Sequence, residues 1–254
     1  MIASEQRSLD LTRQYLPIET DHAKAVLDRV GTVVNLPKVP RILDIGCAQG
    51  LFLVACAQLG FDLVGVEPDP TARAVGTAVA EENGVNVTVL DGIAEALPVA
   101  SDSFDIVHAK SVVEHVVDVE RVFAEAFRVL RPGGIFWFNT ASSMCPRQCE
   151  IRGFPGFGWY PDPLKQRIMN WAMEHRPQLI GHTSRPAYHW FTPRKARRML
   201  AAAGFSRVYD RWDLRGANEG GRVYRAVLSF VRKNAATKLV GDILVPGCSY
   251  AAVK

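Results

Sequence analysis

The first 140 residues alternate between two spacings of hydrophobic and polar positions. Short apolar runs predict β-strands at 41–45, 62–66, 86–90, 104–109 and 135–139. Apolar positions three to four residues apart predict helices at 19–34, at 51–59, from Pro70 up to Gly84, and at 119–130. Asp69 and Asp118 precede two of these helices as N-caps. Strands that alternate with helices predict a parallel sheet covered by helices on both faces.

After Thr140 the alternation of predicted strands and helices stops, and it resumes only near Thr192. The segment 141–191 is rich in aromatic residues, Pro and Arg, and contains one predicted helix, 165–175. Beyond it, the pattern predicts a helix from Pro193 to Gly204, a strand at 206–214, a helix at 221–239 and a strand at 249–253. We therefore expect one domain in four parts: an N-terminal helical segment 1–36, a ligand-binding core 37–140, an inserted cap 141–191 and a completion 192–254.

The composition argues against a membrane protein, a disulfide-rich protein and a zinc-finger protein. The N-terminus is polar, and no apolar run is long enough to span a bilayer, so a soluble, cytoplasmic protein is expected. The five cysteines are scattered and predict no disulfide framework. Cys145 and Cys149 are four residues apart, but no His or second Cys pair has zinc-finger spacing, so no metal site is expected.

Positive charge is concentrated near the C-terminus. From Arg185 to Lys254 there are 14 Lys and Arg residues against four acids, whereas the rest of the chain has 16 basic residues and 22 acids. Two interpretations remain open: a surface for an anionic partner, and an ordinary solvated helix face.

The stretch 41–52, RILDIGCAQGLF, places a turn rich in small residues after a buried strand. The dinucleotide pattern Gly-x-Gly-x-x-Gly would need glycines at Gly46, Ala48 and Leu51, and Leu51 does not fit. The spacing Gly-x-Gly-x-Gly fits Gly46 and Gly50, with Ala48 as a single substitution. Glycine is favoured at these positions because a ligand approaches the backbone closely, so the Ala48 methyl group tightens the turn.

Acidic residues follow three successive strands. Asp44 precedes the turn, Glu67 ends the second strand and Asp91 ends the third. Each alone could be an ordinary cap or loop acid. Together, at one edge of a sheet, they would repel a pyrophosphate and suit a ligand with an ammonium and a sulfonium group. These residues predict a site for S-adenosylmethionine, with Glu67 accepting from the ribose hydroxyls.

These motifs resemble class I S-adenosylmethionine-dependent methyltransferases. ILDIGCAQG is similar to the glycine-rich first motif, VGVEPDP to the acidic second motif, and RVLRPGGIFWFNT to the motif that leads into the fifth strand. DGIAEALPVASDSFDIVHAKSVVEHVVD is similar to the stretch between them. The resemblance covers residues 41–140 and implies a Rossmann-like, mostly parallel sheet of seven strands closed by a C-terminal antiparallel hairpin.

The resemblance also assigns cofactor contacts. Asp44, Gly46, Ala48 and Gly50 would line the methionine and ribose side, with Glu67 and Pro68 at the ribose. Asp91, Gly92 and Ile93 would hold the adenine, and Ala109 and Lys110 would lie beneath the sulfonium. Tyr15 and the first helix would close over the methionine end.

Transfer to a hydroxyl oxygen also requires a base near neutral pKa, for which histidine is suited. His115, just after the fourth strand, is the first candidate, His189 the second and His182 the third. Each could instead be a packed or anchoring residue. Glu114, His115 and Asp118 resemble an acid–His–acid stretch of ubiquinone-pathway O-methyltransferases, some of which use a divalent cation; none is expected here.

The cap is the expected substrate cover. Seven aromatic residues would wall an apolar acceptor pocket: Phe154, Phe157, Trp159, Tyr160, Trp171, Tyr188 and Trp190. They could also simply pack the cap onto the sheet. Three arginines, Arg152, Arg185 and Arg194, could hold a carboxylate or phosphate.

The predicted function is therefore methyl transfer to a small molecule, most simply to an oxygen of an aromatic, quinol-like or natural-product acceptor. Two alternatives remain open: an RNA methyltransferase, suggested by the basic C-terminal part, and a non-catalytic S-adenosylmethionine-binding regulator. Nucleic acid is not the expected partner, because no appended RNA-binding module is recognisable. Leu51 and Asp44 argue against a nicotinamide-dependent oxidoreductase. The acceptor and the oligomeric state stay open.

Overall fold

A computed structural model describes residues 2–148, 150–180, 186–215 and 221–254. Seven strands form one sheet: β1 (Arg41–Ile45), β2 (Asp62–Val66), β3 (Thr88–Leu90), β4 (Phe104–Lys110), β5 (Leu130–Thr140), β6 (Arg207–Asp210) and β7 (Cys248–Val253). Their order across the sheet is β3-β2-β1-β4-β5-β7-β6. Strands β1 to β5 are parallel, and β7 pairs antiparallel with both β5 and β6. The predicted Rossmann-like fold is confirmed.

The described residues form the helices α1 (Ile2–Gly31), α2 (Leu51–Gln58), α3 (Pro70–Glu82), α4 (Val119–Val129), α5 (Asp162–His175), α6 (Pro193–Ala202), α7 (Arg211–Leu214), α8 (Arg222–Val231) and α9 (Ala235–Leu244), some of which cover the two faces of this sheet. The N-caps predicted at Asp69 and Asp118 are confirmed, since each accepts a hydrogen bond from a backbone N–H in the first turn, and Thr192 caps α6 in the same way. Within the described ranges, no helix is long and apolar enough to cross a membrane.

Three sequence-based element boundaries were wrong. Helix α1 begins at Ile2, well before residue 19. It continues through Pro17, although a proline inside a helix lacks the backbone N–H that would donate to the preceding turn. The strand predicted at 206–214 ends at Asp210, whose carboxylate caps α7. The helix predicted at 221–239 is two helices, because Asn234 and Thr237 form a capping box that starts α9.

Two hydrophobic layers hold the helices on the sheet. On one face, α4 and α6 pack Phe123 and Leu200 against Phe136 and Phe138. On the other face, α1 and α2 pack residues such as Val26, Val30 and Leu53 against Ile106 and Trp137. Helix α1 therefore lies along the sheet face that carries Ile106 and His108 of β4, and it approaches the carboxyl edge of the strands.

The cap has a small core of its own. Phe157, Met169, Ala172 and Trp190 are buried together in it. The cap begins and ends beside the sheet, where Ser142 and Phe191 form a parallel β-bridge.

Candidate active site

The turn after β1 has an unusual backbone. Gly46, Ala48 and Gly50 have φ values of +65°, +48° and +68°. A Cβ atom on Gly46 would lie 2.6 Å from the Cγ2 atom of Val112, so no side chain fits there. Ala48 is the only one of the three with a Cβ, and the left-handed region costs an alanine about 1–2 kcal/mol. The turn therefore has a left-handed backbone conformation that is unfavourable at Ala48, and it lies at the carboxyl edge of the sheet.

A first cavity of about 190 Å³ lies between this turn, α1 and β4. Its walls carry two carboxylates, from Glu19 on α1 and Asp44 on β1, together with His108 and Lys110 of β4. Lys110 forms an ion pair with Glu19, which connects α1 to the strand. We call this space the methionine-side cavity, because it adjoins the turn on the side of Asp44.

A chain of three polar side chains runs beneath the methionine-side cavity. The Asp44 carboxylate and the His108 Nδ1 atom lie 2.6 Å apart, and both side chains are buried. The His108 Nε2 atom lies 3.3 Å from the Nε2 atom of His22 on α1. Burial, together with the charges of His108, Lys110 and Arg29, lowers the pKa of His22 to about 3. His22 is therefore neutral near pH 7, and the two facing Nε2 atoms share one hydrogen.

A larger cleft of about 650 Å³ opens on the other side of the turn. It shares Gly46, Ala48 and Gln49 with the methionine-side cavity. Of the residues predicted to bind cofactor, it is lined by Gly46, Ala48, Glu67, Pro68, Gly92 and Ile93. The two spaces therefore adjoin the same turn.

Glu67 ties the turn to the second strand. Its Oε2 atom accepts from the Ala48 N–H at 2.9 Å, and its Oε1 atom accepts from the Asp69 N–H at 3.0 Å. These two bonds use one lone pair on each oxygen and leave the carboxylate facing the cleft with acceptor capacity. Glu67 thus shapes the turn and also presents negative charge to a ligand.

Four of the predicted cofactor residues lie away from both spaces. Asp91 is 75% exposed and forms an ion pair with Arg73. The Ala109 side chain is buried in the core on the opposite face of the sheet, because side chains alternate along a strand. Gly50 packs against Gly76. Tyr15 of α1 is 49% exposed, and the residue of α1 that lines the methionine-side cavity is Glu19. These four residues line neither space in this structure, and a direct contact between them and the cofactor stays a prediction.

The two candidate bases have different surroundings. His115 lines the larger cleft, and its Nδ1 atom lies 3.0 Å from the carbonyl oxygen of Pro186. A carbonyl only accepts, so Nδ1 carries the hydrogen and Nε2 holds the basic lone pair of the neutral ring. His189 lies outside the cleft, and its Nε2 atom donates to the carbonyl oxygen of Val116 at 3.0 Å. His189 thus anchors the cap in this structure, and its role as a base stays a prediction, while His182 lies outside the described residues.

Glu114 is a buried acid beside His115. Burial raises the pKa of its carboxyl group to about 7, although the Thr140 hydroxyl, which donates to it at 2.8 Å, acts in the opposite direction. The Glu114 Oε1 and His115 Nε2 atoms are 4.0 Å apart. Asp118, by contrast, caps α4. The acid–His–acid stretch is therefore split between a buried acid, a cleft histidine and a helix cap.

The aromatic residues of the cap mainly form its own core. Phe157 and Trp190 are buried in it, Phe154 and Tyr160 pack against it, and Trp159 and Trp171 are largely exposed. None of the seven aromatic residues predicted to wall an acceptor pocket lines the methionine-side cavity or the larger cleft. Those that are buried stabilise the cap by packing against one another. Arg152 and Arg194 are exposed, whereas Arg185 lies outside the described residues.

Sequence reasoning missed Glu19, His22 and His108. His108 gave a signal: it is a polar residue inside the apolar run FDIVHA and lies at the register position of Asp44 on the adjacent strand. Glu19 and His22 gave none, because they reach the site only through the packing of α1 across the sheet.

Comparison with known proteins agrees with this geometry. Residues 43–138 match the family model described as a methyltransferase domain. A ubiquinone biosynthesis O-methyltransferase of Azorhizobium caulinodans is 44% identical over 100 residues, which are 39% of this chain and 40% of that protein. The corresponding protein of Rhizobium johnstonii is 38% identical over the same length. The similarity thus spans about two fifths of these curated relatives.

Solved structures share the fold over most of the chain. Phosphoethanolamine N-methyltransferase 2 of Haemonchus contortus, in complex with S-adenosyl-L-methionine, aligns with a TM-score of 0.59 and 18% identity over 92% of this chain and 52% of that chain. An S-adenosylmethionine-dependent methyltransferase of Mesorhizobium loti aligns with a TM-score of 0.55 and 17% identity over 86% of this chain and 94% of that chain. Residues 43–138 of this chain therefore match a methyltransferase domain, and the chain shares its fold with S-adenosylmethionine-dependent methyltransferases.

Proposed function

We propose that this chain transfers the methyl group of S-adenosylmethionine to an oxygen of a small aromatic or quinol-like acceptor. The observation that carries the proposal is the pair of spaces that share Gly46, Ala48 and Gln49 of the turn after β1. Carboxylates of Glu19 and Asp44 line one of these spaces, and Glu67 and His115 line the other.

The residues of these spaces fit the cofactor. Gly46 has a φ of +65°, and a Cβ there would collide with Val112, so only glycine fits this turn where its backbone lines both spaces. Asp44 and Glu19 would face the positively charged methionine end, and Glu67 would accept from the ribose hydroxyls. Gly92 and Ile93 would border the adenine. When bound, the cofactor supplies a methyl carbon that is activated by a positive sulfur.

His115 would act on the acceptor. Its Nδ1–H is fixed by the Pro186 carbonyl, so its Nε2 atom can take the proton of an acceptor hydroxyl. Glu114, whose carboxyl pKa lies at about 7, is placed to stabilise the imidazolium that forms. The curated relatives named as O-methyltransferases support an oxygen acceptor.

The RNA alternative is less well supported. Part of the C-terminal positive charge is paired: Arg197 and Lys238 both bind Asp210 and Asp213, and Lys254 binds Asp102. Charge that is already neutralised contributes little to a phosphate-binding surface.

The decisive assay measures transfer of a labelled methyl group to a panel of catechols and quinols, with bulk RNA as a second acceptor. We expect turnover with the small acceptors only. His115→Ala should lower kcat about 100-fold or more, the usual contribution of a general base, with an unchanged Kd for S-adenosylhomocysteine. His175→Ala, which changes an exposed histidine of α5, is the matched control. Cofactor binding without turnover on any acceptor would favour the non-catalytic regulator.

A further inference from the structure

A third cavity, of about 210 Å³, lies between α1, β5, β7 and the end of α7. Three arginines line it: Arg29 from α1, Arg211 from α7 and Arg215 just after α7. Asn139, Trp137 and Ser249 complete its polar wall. No Asp or Glu is among the described residues that line this arginine cavity.

Two buried donors of the arginine cavity have no hydrogen-bond acceptor among the described residues. Trp137 is 2% exposed, and its Nε1–H is one of them. Arg211 is 8% exposed, and its Nε–H is the other, with the nearest Asp242 oxygen 3.7 Å away. Both donors belong to residues that line the arginine cavity, so acceptor oxygens bound there would lie beside donors that no described residue occupies.

The arginine cavity adjoins the methionine-side cavity. In the sheet register, Trp137 pairs with His108 and Asn139 pairs with Lys110, and both His108 and Lys110 line the methionine-side cavity. Neighbouring strands lie about 4.8 Å apart. The Trp137 and His108 rings are stacked with their centroids 4.9 Å apart. A group held in the arginine cavity is therefore one strand away from residues that border the methionine end.

We propose that the arginine cavity binds the carboxylate or phosphate of an anionic acceptor, an inference that rests on the proposed function. Guanidinium groups bind both anions with paired hydrogen bonds, and they remain charged at any physiological pH. The Trp137 Nε1–H and the Ser249 hydroxyl add donors for the remaining oxygen atoms. A planar acceptor anchored in this way would extend from the arginine cavity towards the transferred methyl group.

Direct binding tests the cavity without turnover. Calorimetric titrations with benzoate and with phenyl phosphate, at constant ionic strength and with S-adenosylhomocysteine present, should show saturable binding of at least one. The double variant R29Q/R215Q should weaken it about tenfold or more. Trp137→Phe, which keeps the ring stacked on His108 and removes only the N–H, should weaken it several-fold. Arg121→Gln changes an exposed residue of α4 on the opposite face of the sheet and should leave the anion affinity unchanged.

Kinetics then links the cavity to the acceptor. With a catechol that carries a ring carboxylate as the acceptor, KM should rise about tenfold in R29Q/R215Q, whereas with uncharged catechol KM should stay constant. Equal affinity of wild type and both variants for the anions, or no saturable anion binding, overturns the inference. Anion binding that depends on these residues in a protein that methylates nothing would instead refute the proposed function and retain the anion site.

Discussion

The Nδ1 atom of His108 lies 2.6 Å from the Oδ1 atom of Asp44, and neither side chain reaches solvent. The two residues occupy the same register position on the adjacent parallel strands β1 and β4. The His108 ring is stacked between Phe52 and Trp137, with centroid distances of 3.8 and 4.9 Å. A buried carboxylate at the floor of the methionine-side cavity therefore has a fixed hydrogen-bond donor.

Removing that donor should destabilise the fold. His108→Phe keeps an aromatic ring between Phe52 and Trp137 but leaves Asp44 buried without its partner. We expect the free energy of unfolding to fall by about 3 kcal/mol, because a buried carboxyl group that loses its hydrogen-bond donor keeps its full desolvation cost. Urea denaturation at pH 7 measures the change.

A double variant separates the pair from simple repacking. D44N/H108F carries no charge at position 44, so it should regain at least half of the lost stability. If the double variant is as unstable as the sum of both single variants, the two side chains are not energetically coupled.

His22 should make the protein acid-sensitive. Its pKa is about 3 in the folded protein, whereas a histidine in an unfolded chain has a pKa near 6.5. Between these values the unfolded chain binds a proton that the folded chain does not, so stability is lost as the pH falls from about 6.5 towards 3. The slope reaches at most about 1.4 kcal/mol per pH unit for one proton. His22→Gln should reduce the slope, and His175→Gln, on an exposed histidine, should not.

Glu114 should act in the opposite direction. Its folded pKa of about 7 exceeds the usual value near 4.5, so the folded chain holds a proton that the unfolded chain has already lost. Stability from this group is present below about pH 4.5 and is lost as the pH rises through 7. Glu114→Gln cannot titrate and can still accept from Thr140, so it should flatten this decline. Glu120→Gln, on the exposed side of α4, is the control, and a decline unchanged by Glu114→Gln would contradict the shifted pKa.

Ala48 should be replaceable with a gain in stability. Its φ of +48° costs an alanine about 1–2 kcal/mol, and the extra freedom of glycine in the unfolded chain offsets about 0.4–1 kcal/mol of that. Ala48→Gly should therefore stabilise the fold by up to about 1 kcal/mol. Ala74→Gly, at an exposed helical position of α3, should destabilise it by about 1 kcal/mol. Urea midpoints that move in the same direction for both variants would exclude backbone strain at position 48.

The sequence predicted those features that depend on local signals. The strand β1, the small-residue turn and the Asp69 cap are each determined by sequence patterns within a few residues of the feature itself. Glu67 was recognisable in the same way, because its position at the end of β2 follows from the strand pattern. Ala109 was assigned to the site from the motif alone, although strand alternation turns its side chain to the opposite face.

Features that depend on distant packing were not predictable. The His22–His108 contact joins residues 86 positions apart, and it requires α1 to cross the sheet face. The arginine cavity likewise combines residues from α1, β5 and the region around α7. A basic C-terminal composition indicated excess charge but could not show which arginines converge.

Glu67 offers the most direct test of the cofactor site. Its two oxygens each accept from a backbone N–H, so Glu67→Ala would also loosen the turn. Glu67→Gln keeps the shape but directs an NH₂ group towards one of these donors and removes the charge. Hydrogen bonds to charged groups contribute about 1.5–3 kcal/mol, so the Kd of S-adenosylhomocysteine should rise about 10- to 100-fold. Calorimetry measures this rise, with Glu81→Gln on exposed α3 as the control. An unchanged Kd in a folded Glu67→Gln variant would remove Glu67 from the cofactor site, since a carboxylate that faces the ligand cannot lose its charge without weakening the contact.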